Sequence, residues 1–266
     1  MSIRLLGRER TKSRTAGRNS LLGLVPLVLL LGVWEIFAST DSVLFPPPSQ
    51  WWDGWQGLVD TGQFGANLSA TLWTFARGLL VATVLGTVLG ALIGSSSGID
   101  RATSPTITFL MSIPPAAIVP VAALVVGIGG VTQVGTVVFA AIWPILLNTA
   151  SAMRNIPGVR LESASLLGLS RRARLTKVVL PSLTPGVALG VLIAAPVAVV
   201  VTLLVEMLTS VPGLGSMLLQ SQRGFHSAQV FALLVFIGLL GFILNAVITW
   251  LESFLLRNWP KSGANA

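Results

Sequence analysis

The chain has 266 residues, 53% of them hydrophobic and only 10% charged, with a net charge of +8 and no cysteine; its mean hydropathy is +0.83. A soluble domain of this size could not hide so much apolar surface, so the chain is an integral membrane protein. The missing cysteines exclude a disulfide framework and a thiolate metal site. The basic residues gather in the N-terminal tail, a central loop and the C-terminus, which is the pattern of segments kept in the cytoplasm and not that of a nucleic-acid surface.

Residues 1–19 form a basic tail with Arg4, Arg8, Arg10, Lys12, Arg14 and Arg18 against a lone Glu9. The apolar stretch 20–39 follows and is too long for a signal-peptide core, so it is expected to remain as an anchor with the N-terminus inside. Residues 40–66 then lie outside. Pro46, Pro47 and Pro48 predict an extended strut, and Ser49 is placed to cap a short interfacial helix with Trp52, Trp55 and Val59 on one face. That helix is read as a bilayer anchor, with contact to a docking partner as the alternative.

The body of the chain is predicted over 67–256, with a loop at 154–181. Its first span, about Leu68 to Gly94, carries Gly78, Gly86, Gly90 and Gly94, a spacing that admits a second helix at close range. A polar turn from Ser95 to Arg101 leads back inside. Ala102 to Met153 holds no charge and is more than twice as long, as a helix, as a hydrocarbon core of about 30 Å. It must fold back, and Gly127, Gly129 and Gly130 mark the turn. Pro114, Pro115 and Pro120 interrupt the span Thr103 to Val126 near mid-bilayer, where broken backbone is tolerated against protein or a watery cavity. After the loop come spans at about Thr184 to Leu208 and Val230 to Leu256, and a tail at 257–266. With the anchor this makes six spans and puts both termini on one side.

The loop itself carries Arg154, Arg160, Glu162, Arg171, Arg172, Arg174 and Lys177 between two charge-free apolar runs. Pro157 can open a helix and Gly168 can end one, and Leu161, Ala164, Ser165 and Gly168 fall at helical spacing between them. A solvated basic loop that only sets topology is the plainer reading. Three further charges, Glu35, Arg77 and Glu206, lie in or near apolar spans, where each needs a partner or a watery cavity. Arg77 and Glu206 could serve an anion pathway; the alternative is a structural Arg77–Glu206 or Arg77–Glu35 pair.

The pattern Glu162, Ala164, Gly168, Val178, Leu180, Pro181 resembles the cytoplasmic signature loop of permease subunits of bacterial binding-protein-dependent ABC importers, with Ser163 where the usual form has a first alanine. The segments Ile113–Pro120, Trp143–Thr149, Val211–Gly215 and Phe45–Ser49 are similar to the nitrate/sulfonate/taurine branch, so the likeness covers about residues 44–256. It implies an all-α fold like that of type I ABC importer permeases, with about six transmembrane helices. It further implies a coupling helix in which Arg160, Leu161, Glu162, Ala164, Ser165 and Gly168 meet an ATPase subunit dimer. Met111, Pro114, Pro115, Pro120, Arg77 and Glu206 are then candidates for the pathway or gate. The remaining implied partners are a second, identical permease subunit, an extracytoplasmic solute-binding protein and the lipid bilayer, with no nucleic acid. The chain has no phosphate-binding loop of the G-x4-G-K-[ST] type, so it is expected to be non-catalytic, with no cofactor of its own; ATP and Mg belong to the partner subunit. The implied cargo is a small anion such as a sulfonate, taurine, nitrate or bicarbonate. A thiamine-type pyrimidine precursor is the alternative, and an ion-coupled secondary transporter the more distant one.

Overall fold

The computed structural model describes residues 25–38 and 44–257, and among these every regular element is helical. The basic tail, the first part of the predicted anchor, Asp41 and Lys261 lie outside the described residues. Helix α1 (Val25–Phe37) is 13 residues long, and a short 3-10 turn at Pro48–Gln50 precedes α2 (Trp51–Asp60). Four helices are long and apolar enough to cross a membrane: α3 (Phe64–Gly94), then α6 (Gly130–Arg154), α8 (Arg171–Thr209) and α10 (Ser227–Leu255). Helices α4 (Ser97–Met111) and α5 (Pro115–Val126) add a fifth crossing if the pair counts as one span, bent by 89°. The short helices α7 (Gly158–Leu166) and α9 (Leu214–Arg223) lie at opposite ends of the body.

Helix α6 is the central post, packed along its length by α3 on one side and α8 on another. Small residues make this possible. A Cβ on Gly90 would lie 2.5 Å from the Leu146 carbonyl oxygen, and one on Gly86 would lie 2.9 Å from Ile145 Cγ2. On the facing side, a Cβ on Gly190 would come within 2.7 Å of Ile145 Cα. In lipid no hydrophobic force holds helices together, so this close van der Waals contact carries much of the association. Fully buried Ala82, Val137, Ala141, Ile145, Ala194 and Val205 fill the seam. Several buried hydroxyls are satisfied within their own helix, as Thr136 donates to Thr132 O, Thr202 to Ala198 O and Thr209 to Val205 O, which is the inexpensive solution where water is absent.

The break between α4 and α5 falls at Ser112–Pro114, because Pro114 and Pro115 cannot donate backbone hydrogen bonds. Pro114 adopts an extended conformation and opens α5, and Ser112 Oγ closes the preceding turn on Thr108 O. Pro120 is carried inside α5.

Three local expectations are corrected. The predicted polar turn Ser95–Arg101 is mostly helix: Ser96 accepts from Gly98 N and starts α4 at Ser97. Ser49 does not cap α2; it lies in the 3-10 turn, and its N–H donates to Glu35 Oε2 at 3.0 Å. The buried stripe of α2 is Gly54 and Leu58 with Trp51 and Trp55 beside them, while Trp52 and Val59 point away. Gly54 sets this choice, because its bare Cα meets the backbone of Ala228 on α10.

Candidate functional site

The basic loop forms a compact structure at the end of the body where α3 finishes. Ile156 is buried and Pro157 takes the extended conformation that precedes α7. At the other end of α7, Leu169 N–H donates to Ala164 O at 3.1 Å and Gly168 N–H to Ser165 O at 3.0 Å. Gly168 has φ +67°. These two bonds and the left-handed residue make the Schellman closure of a helix, and the glycine is there for its backbone, since no heavy atom lies within 4 Å of where its Cβ would be.

The inward face of α7 is Leu161 and Ala164. Ala164 is 3% exposed, and Leu161 packs on Ile156, Val179 and Leu183, with Ala91, Ala152 and Met153 beside them. One small cluster thus joins α7 to the ends of α3, α6 and α8. Ser165 is occupied locally, donating to Leu161 O. The outward face is formed by Val159, Arg160, Glu162 and Ser163, and Leu166 and Leu167 protrude beyond it at 89% and 78% exposure. Val159, Leu166 and Leu167 were absent from the sequence-based candidates. The signal was available: residues 159, 162, 163 and 166 share the face opposite Leu161 and Ala164. Helix α8 begins in the same region with Arg171, Arg172 and Arg174, capped by Ser170, and has a π-helical turn at Leu175–Val179 just before Pro181. Single π turns inside α-helices often mark functional joints. Arg154 at the end of α6 pairs with Asp100 of α4 at 2.9 Å, the one ion pair among the described residues.

The intramembrane charges do not pair with one another. Glu206 is 0% exposed, and its Oε2 accepts from Thr71 Oγ1 at 3.0 Å and from Gly215 N at 2.9 Å. Leu214 N–H donates to Thr71 Oγ1 and Gly213 N–H to Asn67 Oδ1, each at 2.8 Å. Three successive amides at the start of α9 are therefore capped by side chains of α3 and α8, and the partial positive charge of a helix start favours a carboxylate there. A Cβ on Gly213 would collide with the Glu206 carboxylate. In this conformation Glu206 faces no open path.

Arg77 is exposed and stacks over the Trp73 ring, its guanidinium carbon 5.3 Å from the ring centre. Helix α3 has 31 residues, about 46 Å, against a hydrocarbon core of about 30 Å. A core of that thickness measured from the Gly94 end reaches about as far as Thr74. Arg77 then lies within a turn of that boundary and reaches toward it along Trp73, which removes much of the cost of a buried charge. Met111 is exposed beside the α4–α5 break, together with Phe109 on α4 and Val121 and Leu124 on α5.

Comparison with known proteins places this architecture. Residues 82–257 match the family described as binding-protein-dependent transport system inner membrane component. The chain is 28% identical over 252 residues to the nitrate import permease protein NrtB of Leptolyngbya laminosa, covering 92% of this chain and 90% of that one. It is 28% identical over 271 residues to the bicarbonate transport system permease protein CmpB of Synechococcus elongatus, covering 94% and 97%. Among solved structures, a chain of the MetNI methionine ABC transporter in an inward-facing conformation matches with a TM-score of 0.62 at 19% identity, covering 74% of this chain and 96% of that one. That last likeness concerns the fold alone, and it agrees with the type I ABC permease architecture. A family match over most of the chain, carried by apolar helices around one central post, shows that this chain is a multi-pass membrane protein of the binding-protein-dependent transport system inner membrane component family.

Proposed function

We propose that the chain is the non-catalytic permease subunit of an ATP-driven importer for a small oxyanion of the nitrate, bicarbonate or sulfonate kind, delivered by an extracytoplasmic binding protein. Relatives named for nitrate and bicarbonate transport, each aligned over nearly its full length, support this cargo class. The polar loop is then cytoplasmic, and α7 is the coupling helix that meets the ATPase. The observation that carries this role is the division of α7 into two faces. Leu161 and Ala164 seat the helix on the body, while Arg160, Glu162, Leu166 and Leu167 are free to enter a groove. Gly168 directs the helix end. Because one cluster ties α7 to the ends of α3, α6 and α8, a push on α7 displaces all three spans together.

Two copies of the chain place the α4–α5 breaks beside a shared pathway, with Met111, Pro114, Pro115 and Pro120 shaping its wall. The exposed apolar surface of Val121, Leu124, Val125 and Ile128 suits such a pairing. The test is reconstitution with the ATPase and binding protein, measuring anion uptake per ATP hydrolysed. Leu166→Asp and Leu167→Asp should leave membrane abundance unchanged and abolish ATPase association. Association and uptake at wild-type levels in both variants would return the loop to a purely topogenic role.

A further inference from the structure

At the end of the body opposite α7, helix α9 closes in the sequence Arg223-Gly224-Phe225-His226. Helix ends favour glycine at the left-handed position, so Gly224 is the expected occupant. It does not take that position. Gly224 stays helical with φ −79°, and Phe225 adopts φ +56°. His226 N–H donates to Ser221 O at 2.9 Å and Phe225 N–H to Gln222 O at 3.1 Å, the two bonds of a Schellman closure with phenylalanine in the glycine's place. A Cβ on Gly224 would lie 2.8 Å from His226 Nδ1, so the His226 ring packs against the bare glycine. Ser221, 5% exposed, donates to Gln229 Oε1 at 3.2 Å and ties the turn to α10.

A left-handed backbone is disfavoured for any residue with a side chain, and burial of the ring would ordinarily offset this. Here it does not: Phe225 is 68% exposed. Strain held at an exposed residue points to function. The segment from Thr209 to Gln229 carries Arg223 and no carboxylate, so the formal charge nearest the ring along the chain is positive. Its far end is anchored by the Asn67, Thr71 and Glu206 caps, which makes α9 a rigid support.

We propose that Phe225, flanked by Arg223, is the docking knob for the extracytoplasmic solute-binding protein, inserting into an apolar cup with an acidic rim. This rests on the importer reading, which puts α9 outside, and on a family defined by dependence on such a protein. Aromatic and arginine side chains at the centre of an interface carry most of its binding energy.

The experiment begins with a photo-crosslinking phenylalanine analogue at position 225 in intact cells, with the adduct identified by mass spectrometry. The expected adduct is a solute-binding protein; adducts to lipid alone, or none, would overturn the proposal. That purified binding protein is then titrated onto proteoliposomes holding the permease and its ATPase. Phe225→Asn and Phe225→Gly, which both tolerate the left-handed backbone, should raise the half-saturating concentration by roughly tenfold or more. The ATPase rate without binding protein and the maximal rate with it should not change. Arg223→Glu should do the same and flatten the dependence on salt. Phe225→Gly should also melt no lower than wild type, since it relieves strain; a lower melting temperature would make the ring structural and overturn the proposal. Half-saturation within twofold of wild type in all three variants would do so too. A wild-type complex that hydrolyses no ATP would instead overturn the importer reading.

Discussion

Gly168 offers the cleanest quantitative test of the coupling assignment. Its φ is +67° and a Cβ would touch nothing within 4 Å, so Gly168→Ala adds backbone strain without a steric clash. That strain is about 1–2 kcal/mol, which corresponds to a factor of roughly 5–30 in a local equilibrium. The two closing bonds, Leu169 to Ala164 and Gly168 to Ser165, are those lost when the turn opens. Asparagine tolerates the left-handed region and should lose less; valine, branched at Cβ, should lose most. The assay is limited proteolysis between residues 166 and 170, run beside uptake per ATP hydrolysed in the reconstituted importer. Cleavage should rise and coupling should fall in the order Gly, Asn, Ala, Val, while thermal unfolding of the membrane body stays constant. Wild-type cleavage and coupling in the alanine and valine variants would refute the argument. So would a loss matched by an equal loss of folded protein, because the helix end would then be serving stability alone.

The remaining predictions concern the body. Gly90→Ala should cost about 1–3 kcal/mol of stability in detergent, because its Cβ meets the Leu146 carbonyl and must force α3 from α6. Gly135→Ala, with open space around it, should be neutral or slightly stabilising by thermal unfolding. Glu206→Gln should keep the α9 cap, since one oxygen accepts both hydrogen bonds; Glu206→Ala should cost about 1–3 kcal/mol by leaving buried donors without acceptors. Equal losses in the two Glu206 variants would count against a capping role. Asp100→Asn breaks an exposed pair with Arg154 and should change the unfolding free energy by less than about 1 kcal/mol.

Much of this protein is decided by local rules that operate along a single stretch of chain. Apolar runs of membrane length become helices because lipid offers no partner for free backbone groups. The Gly78 to Gly94 series marks a close-packed face, since only a missing side chain lets backbones touch. Pro157 and Gly168 bound α7, because one opens a helix and the other accepts the left-handed position. Pro114 and Pro115 break the third stretch for want of a donor. What remained hidden depends on which faces meet. Leu161 and Ala164 share helical spacing with Ser165 and Gly168, but only packing against Ile156, Val179 and Leu183 shows that they face inward and leave Leu166 and Leu167 exposed. A charge pattern offers Arg77 as a partner for Glu206. The fold instead brings Asn67 and Thr71 beside the start of α9, across some 140 residues of sequence, and gives the carboxylate a helix end to cap. Gly224 and Phe225 make the same point in two residues: local preference assigns the left-handed turn to the glycine, and in the assembled fold the phenylalanine takes it. Propensity acts within a few residues, whereas the burial of a face and the partner of a buried charge are set by elements far apart in the chain, which only the assembled helices bring together.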